Sequence, residues 1–294
     1  MNSSRSARPA PRHALECELT PDLPDPGVRA ALAAFYRTSE GYARQQGSHG
    51  EEYFSRLLAV MDAVLVEPKL DILEIGAGAA GGLHAFLRKH PEAKGIAMEL
   101  SPASLESAAG IRMPALRAIA GNALQLPFRD RSLDAVVAFE VIEHLPDVAQ
   151  AFGEMLRVLR RPGHLIIGLP NHASLWTPVE DWLRRRDRRA FGVEVGRGAW
   201  RWWARNAAIA PRKRLSRAAQ FLYRQPILDA ARGGDADAVY YAAPVDLLRF
   251  FRERGAELVT SSARVRLGWL GRLVPVELQG STVLAWRLHI KKGV

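Results

Sequence analysis

One cysteine, Cys17, occurs in 294 residues. An internal disulfide framework is therefore excluded, and a reducing cytoplasm is the default expectation. No apolar run approaches the ~20 residues of a membrane-spanning helix. The N-terminus also lacks the hydrophobic segment of a signal peptide. Acids are the scarcer charge: 31 Asp and Glu stand against 41 Lys and Arg, a net +10. No internal repeat is present. Residues 1–27 are rich in Pro, Arg and Ser and bring little to a core, so they read as a disordered tail.

What is present is concentrated at residues 70–82, Leu-Asp-Ile-Leu-Glu-Ile-Gly-Ala-Gly-Ala-Ala-Gly-Gly. An apolar, β-branched run reaches Glu74 and breaks into glycines at Gly76 and Gly78, and a helical pattern through Leu83, Phe86 and Leu87 follows. A buried strand, a tight turn and a helix bring backbone N–H groups close to a ligand, and a Cβ in the turn would hold that ligand away. Glu74, at the strand end, suits a cationic or hydroxylated ligand and would repel a phosphate. An ordinary strand-to-helix turn has the same pattern, so the glycines alone decide nothing.

Later segments repeat the strand signal. Lys94–Leu100 is a second apolar strand closing on Glu99, 25 positions beyond Glu74. An acid there can accept both hydroxyls of a ribose, a role with an expected spacing of roughly 20 residues. Ala115–Ile119 is a third strand followed by Gly121-Asn122-Ala123, where the Asn122 amide oxygen is available to an exocyclic amine. Leu133–Phe139 is a fourth strand and runs into Glu140-Val141-Ile142-Glu143-His144-Leu145-Pro146-Asp147. His164–Leu169 is a fifth, ending in Pro170-Asn171.

Taken together, Leu-Glu-Ile-Gly-Ala-Gly at 73–78, Met-Glu-Leu-Ser at 98–101, Gly-Asn-Ala-Leu-Gln-Leu-Pro-Phe at 121–128, the run from Leu133 to Asp147 and Leu-Arg-Val-Leu-Arg-Arg-Pro-Gly-His-Leu at 156–165 are specific. With them the chain resembles class I S-adenosylmethionine-dependent methyltransferases of the ubiquinone-biosynthesis type. The resemblance covers roughly residues 50–171, with a weaker tail over 240–290. It implies S-adenosylmethionine as cofactor, with Gly76 and Gly78 at its methionine part and Glu99 and Leu100 at the ribose. Asn122 and Ala123 then meet the adenine, Glu140 lies beside the cofactor, and Glu74 anchors the glycine turn from beneath. Two positions depart from the family pattern: Ala80 stands where a third glycine is usual, and Asn122 where an acid is usual. A dinucleotide-binding oxidoreductase shares the glycines, but the Glu-His-Leu-Pro-Asp segment disfavours it.

Methyl transfer asks little of a protein, because the sulfonium is already a strong electrophile. The acceptor must be held in line with the methyl, and a base is needed only for a hydroxyl or a protonated amine. If a helical turn begins after Phe139, Glu140, Glu143 and His144 share one face. His144 then reads as a general base. Alternatively the three bind a divalent ion, or the histidine merely caps the turn. No metal ligand is assigned.

Between strand five and a helix starting near Ala243 lie about seventy residues. Counted over 171–236, 13 Arg and one Lys oppose six acids, a net +8, and five of the seven tryptophans fall there: Trp176, Trp182, Trp200, Trp202 and Trp203. Arginine interleaved with indole suits an anionic membrane surface, a nucleic acid, or a lid whose charge is only solvated. Trp182–Phe191 and Gly198–Ala210 both read as helical, and the second suits a lipid interface better than an RNA groove. Lead-in helices are expected between Val28 and Val66, with Tyr42, His49 and Tyr53 as candidate ligand contacts. The apolar connection Gly268–Gly280, holding Trp269, Leu270, Leu273 and Val274, either packs under the insertion or widens an apolar patch. Ser281–Ile290 alternates as an edge strand.

The expected architecture is a Rossmann-like α/β fold with helices on both faces of a seven-stranded sheet, order 3-2-1-4-5-7-6 with strand 7 antiparallel. Residues 28–171 and 237–294 make the methyltransferase domain, and 172–236 form a basic, Trp-rich helical insertion. The expected activity is O-methylation, less favourably N- or C-methylation, of a small or lipid- or quinone-like acceptor. An RNA methyltransferase and a non-catalytic binding protein of the same fold are the alternatives. The expected location is cytoplasmic, or peripheral at the inner face of a membrane.

Overall fold

A computed structural model describes residues 18–39, 51–177, 189–190, 193–231, 235–263 and 281–289. Cys17, Tyr42, His49 and the connection Gly268–Gly280 lie outside these residues, as does most of Trp182–Phe191. The sheet is built from β1 (Asp71–Ile75), β2 (Lys94–Glu99), β3 (Leu116–Ala120), β4 (Leu133–Phe139), β5 (Leu159–Leu169), β6 (Ala256–Ser261) and β7 (Thr282–Leu288). Their spatial order is β3-β2-β1-β4-β5-β7-β6. β1 runs parallel to β2 and β4, while β7 is antiparallel to both β5 and β6. The expected topology is the observed one.

Central strands read as unbroken apolar runs because both sheet faces are covered. Ile72, Leu73 and Ile75 of β1 are buried, as are Ala135 to Phe139 of β4. On one face, Leu57 and Met61 of α2 (Ser55–Val64) join Leu83 and Phe86 of α3 (Gly81–Lys89) in a core. On the other, Phe152 of α5 (Val148–Val158) meets Phe250 and Phe251 of α7 (Pro244–Glu253), and Phe251 packs against Trp286 of β7. α4 (Pro102–Ala109) covers β2 and β3. Local chemistry marks the helix starts. Asp147 accepts from Gln150 N at 2.9 Å and Asp25 from Val28 N at 2.9 Å, each capping a first turn.

α1 (Pro26–Thr38) lies ahead of the sheet, and Thr20, within the stretch read as a tail, exchanges backbone hydrogen bonds with Tyr223 at 3.0 and 2.7 Å. The insertion contains the long α6 (Val195–Leu215), as its composition suggested. Residues 189–190, expected at the end of a helix, are instead extended and pair with 193–194 in a short hairpin.

α6 is fastened along one side. Trp202 Nε1 and Asn206 Nδ2 donate to the carbonyl of His172 at 3.2 and 3.0 Å, and Asn206 also reaches the carbonyl of Ser174 at 2.6 Å. At the far end Lys213, 1% exposed, pairs with the fully buried Asp246 of α7 and donates to Gln220 O at 2.7 Å. Asp246 also accepts from Tyr240 OH and Gln220 N, each at 3.1 Å. Arg249 donates to the carbonyls of Lys213 and Arg214. These bonds satisfy carbonyls that a helix end leaves without partners.

Candidate active site

β1 sits between β2 and β4, so the strand order reverses there, and a crevice opens at the carboxyl ends of these strands. It is a cleft of about 440 Å³, within the ~300–1,000 Å³ usual for small-molecule sites. Glu74, Gly76, Gly78, Glu99, Leu100, Asn122, Ala123, Glu140 and His144 line it, with α1 and Tyr53 across from them.

The turn after β1 needs glycine for two reasons. Gly76 and Gly78 have φ of +63° and +53°, and a Cβ on Gly76 would lie 2.3 Å from Val141 Cγ2. Ala80 also adopts a left-handed conformation, φ 59°, at the start of α3. The alanine thus keeps the backbone shape of the glycine it replaces and carries the strain. Glu74 Oε2 accepts from Leu83 N at 3.2 Å, fixing the first turn of α3. Burial, with the charge of Glu99 adding to it, pushes the Glu74 carboxyl up to about 8. Glu99 ties the turn to β2: Oε2 accepts from Gly78 N at 2.9 Å, and Oε1 from Leu100 N and Ser101 N at 2.6 and 2.9 Å. Asn122 Oδ1 accepts from Leu124 N at 2.9 Å, so its oxygen already shapes a turn.

Glu74, Glu99 and Glu140 bring three carboxyl groups to a lining of glycine, alanine and apolar side chains that also holds Arg29, Tyr36, Tyr53, Asn122 and His144. Such a wall suits a cation that carries hydroxyls and opposes a pyrophosphate. S-adenosylmethionine, with its sulfonium, ammonium and ribose diol, fits this donor set.

The Glu140–His144 segment departs from expectation. Glu140 is left-handed, φ 53°, and its N–H donates to Gly168 O at 2.9 Å, so it ends the strand and belongs to no helical turn. Only Ile142–His144 form a turn, of the tight 3₁₀ type. Glu140 and His144 consequently line the cleft, while Glu143 points into the interior and is 0% exposed. A shared face of all three does not exist. Neither carboxylate oxygen of Glu143 has a hydrogen-bond partner among the described residues, and burial pushes its carboxyl well up. A protonated, neutral side chain answers that environment.

His144 is held from the insertion's return. Its Nδ1 lies 3.2 Å from Asp237 Oδ2, an ion-pair contact, and Nε2 lies 3.9 Å from Glu143 Oε1. Tyr36 of α1 donates to the same Asp237 oxygen at 2.8 Å and sets its ring edge against the imidazole. Burial alone would lower the pKa of His144, but Asp237 outweighs it and the imidazole rises to about 10. Burial opposes ionisation of Asp237 as well, yet His144 and Tyr36 bring it down to about 2. Behind this pair His172 Nε2 lies 3.5 Å from Asp235, while its Nδ1 accepts from Ala242 N at 3.2 Å. Atoms of Glu143, His144 and Asp235 come within 4.8 Å of one another, a nitrogen and oxygen set suited to a divalent ion. Such an ion would have to displace the proton that the carboxylates hold on His144.

Burial, then the charge of Glu140, raises Tyr53, which stays a neutral phenol. Tyr36, His172, Asp235 and Asp237 escaped the reading of the sequence. The only local signal was Gly-Gly-Asp-Ala-Asp at 233–237, which reads as a turn.

This sheet order, with a glycine turn after β1 and an acid closing β2 at the switch point, is that of the Rossmann-like methyltransferase fold. A family model described as a methyltransferase domain matches residues 73–167. A Mycolicibacterium smegmatis protein named "Probable S-adenosylmethionine-dependent methyltransferase" is 38% identical over 111 residues, covering 38% of this chain and 42% of its own. The demethylmenaquinone methyltransferase of Thermobifida fusca is 33% identical over 129 residues, covering 42% of this chain and 51% of its own. Among solved structures, a chain from the complex of the Haloferax volcanii Trm112 methyltransferase activator superposes with TM-score 0.55 at 12% identity. It covers 86% of this chain and 96% of that one. Residues 73–167 thus carry a methyltransferase domain, set in a sheet of the class I order. The chain spans about half or less of the length of these curated relatives.

Proposed function

We propose that the chain transfers a methyl group from S-adenosylmethionine to an oxygen of a small, lipid-like or quinone-like acceptor. The observation that carries this reading is His144, on the wall of the cofactor cleft and held there by Asp237. The cofactor supplies an electrophilic methyl on sulfur. Gly76 and Gly78 let the backbone approach its methionine part. Glu99, three of whose roughly four acceptor sites are taken by Gly78, Leu100 and Ser101, offers its remaining site to a ribose hydroxyl. Asn122 and Ala123 border the adenine; Asn122 Oδ1 keeps one lone pair after its bond to Leu124. Glu74 holds the turn from below, and Glu140 faces the cofactor from the end of β4.

Once deprotonated, His144 accepts the hydroxyl proton of the acceptor as the oxygen attacks. Asp237 stabilises the resulting imidazolium, and Tyr36 keeps the carboxylate in place. Buried Glu143 contributes by staying neutral, which preserves the charge balance around the imidazole. The quinone class of acceptor follows the Thermobifida fusca relative, named a demethylmenaquinone methyltransferase. An apolar acceptor also accords with the tyrosine and phenylalanine side chains facing the cleft, Tyr36, Tyr53, Phe54 and Phe139. None of the described helices is long and apolar enough to cross a membrane.

Calorimetric titration of the chain and of Glu99→Ala with S-adenosylmethionine tests the cofactor half. A loss of about 10-fold or more is expected for removing a charged hydrogen-bond acceptor; unchanged affinity would show the ribose assignment to be wrong. S-adenosylhomocysteine formation with hydroquinone and hydroxylated lipid acceptors tests the rest. His144→Ala should lower turnover by about 10²–10⁴-fold with cofactor affinity kept.

A further inference from the structure

The side of α6 that faces away from the domain has an unusual composition. Trp202, Asn206 and Lys213 are buried and mark the inner side of the helix. Trp200, Ala204, Ala208, Pro211 and Leu215 recur every three or four residues on the opposite side, and all five are exposed. Trp200 is 66% and Leu215 82% exposed. The stripe is about 22 Å long at ~1.5 Å per residue. Exposed Arg201 and Arg212 flank it on one side, and Trp203 and Arg214 on the other. The Arg201 guanidinium lies 5.5 Å from the centre of the Trp200 ring. No acid occurs between Val195 and Leu215.

A continuous apolar stripe on an otherwise soluble surface marks an interaction site. Its charge names the partner. A stripe of indole and aliphatic groups rimmed by arginines matches the boundary between acyl chains and anionic headgroups. There indoles settle and guanidiniums pair with phosphates. A nucleic acid would satisfy the arginines but leave Ala204, Ala208, Pro211 and Leu215 against a polar backbone. A second copy of this helix would bring arginine against arginine.

We propose that the outward face of α6 docks the protein, in the plane of the surface, on a bilayer containing anionic lipid. The helix is a rigid platform for this, because Trp202, Asn206 and Lys213 fasten its inner side to the turn after β5 and to α7. Docking would place the turn at His172–Ser174, and with it the site, next to the bilayer. The proposal deepens the reading of a lipid- or quinone-like acceptor but does not need catalysis to hold.

The test is flotation of the full chain with vesicles of phosphatidylcholine alone and of phosphatidylcholine with phosphatidylglycerol, at low and high salt. Binding to the anionic vesicles alone, weakened by salt, is expected. Each basic residue near such a surface is worth about 1 kcal/mol, or ~5-fold. Arg201→Gln with Arg212→Gln should therefore weaken partition by ~25-fold, and Trp200→Ser with Leu215→Ser should reduce it at least as much. Calorimetry with S-adenosylmethionine must show each variant binding cofactor like the parent, which separates lost docking from lost folding. Equal binding to both vesicles, no binding, or α6 variants that float like the parent would overturn the proposal. Displacement of the vesicles by an RNA pool, or a dimer by light scattering that the serine variants dissolve, would do the same in favour of those partners. Failure of methyl transfer with docking intact would count against the reading of the cleft alone.

Discussion

A single oxygen, Oδ2 of Asp237, lies 3.2 Å from Nδ1 of His144 and accepts from the Tyr36 hydroxyl at 2.8 Å. Three separate stretches of chain thus meet at one carboxylate: the return from the insertion, the turn after β4 and α1. The imidazole owes its proton affinity to that oxygen, and this makes the pair testable by pH.

Neutral imidazole is the form that accepts a proton, and its fraction rises with pH through the folded pKa. With His144 lifted to about 10, kcat/KM should climb through alkaline pH, reach half its maximum near 10 and level off only above that. Asp237→Asn removes the charge that lifts the imidazole, so the climb should move to lower pH while the plateau falls. Superimposable profiles would remove Asp237 from the mechanism. Tyr36→Phe should move the profile the same way by a smaller amount if the hydroxyl acts only by positioning the carboxylate.

Glu74 gives a stability signature of opposite origin. Its carboxyl is raised to about 8 in the fold, so between pH ~4.5 and ~8 the folded chain holds a proton that the unfolded chain has lost. Stability contributed by this group falls over that window and is constant above it. Glu74→Gln keeps an acceptor for Leu83 N and removes the ionisation. In urea titrations the variant should match the parent near pH 4.5 and exceed it, by on the order of a few kcal/mol, at pH 9. A constant difference across pH would show that Glu74 is not the group responsible.

The glycine turn makes a steric prediction. Gly76→Ala must strain a left-handed backbone and push aside Val141, whose Cγ2 would be 2.3 Å from the new Cβ. About 1–3 kcal/mol should be lost, read as weaker S-adenosylmethionine binding and a lower melting temperature. Adding Val141→Ala should restore the steric part and leave the backbone part. Normal binding by the single variant would show that the turn has another shape.

The buried Lys213–Asp246 pair fastens α6 to α7. Lys213→Met leaves Asp246, fully buried, with Tyr240 and the Gln220 amide as its remaining hydrogen-bond donors among the described residues. A loss of about 3–5 kcal/mol is expected. Asp246→Asn in the same chain should recover part of it, which equilibrium denaturation of the three variants would measure.

The sheet was legible because each central strand is buried on both faces and is written as one apolar run, and because the glycines and Glu99 sit at fixed offsets from strand ends. Those offsets are local, and so were the residues they pointed to. The corner around His144 is not local. Glu140 ends its strand in a left-handed conformation that nothing in Phe-Glu-Val announces, so the helical face drawn through Glu140, Glu143 and His144 does not form. The partners of His144 come from α1 and from the loop before Tyr240, where only the folded chain brings Tyr36 and Asp237 together. The arginines of the insertion were visible by count, but which tryptophan is buried was not. Trp202 turns inward and Trp200 outward because Trp202 finds the carbonyl of His172.

The inner side of α6 grips main-chain oxygens: His172 and Ser174 offer theirs to Trp202 and Asn206, and Gln220 offers its own to Lys213. Main-chain oxygens are the same whatever side chain a codon specifies. The outer side of the helix makes no part of that grip. It can be rewritten residue by residue while the attachment stays as it is, so the outer surface is free to vary without disturbing the cleft.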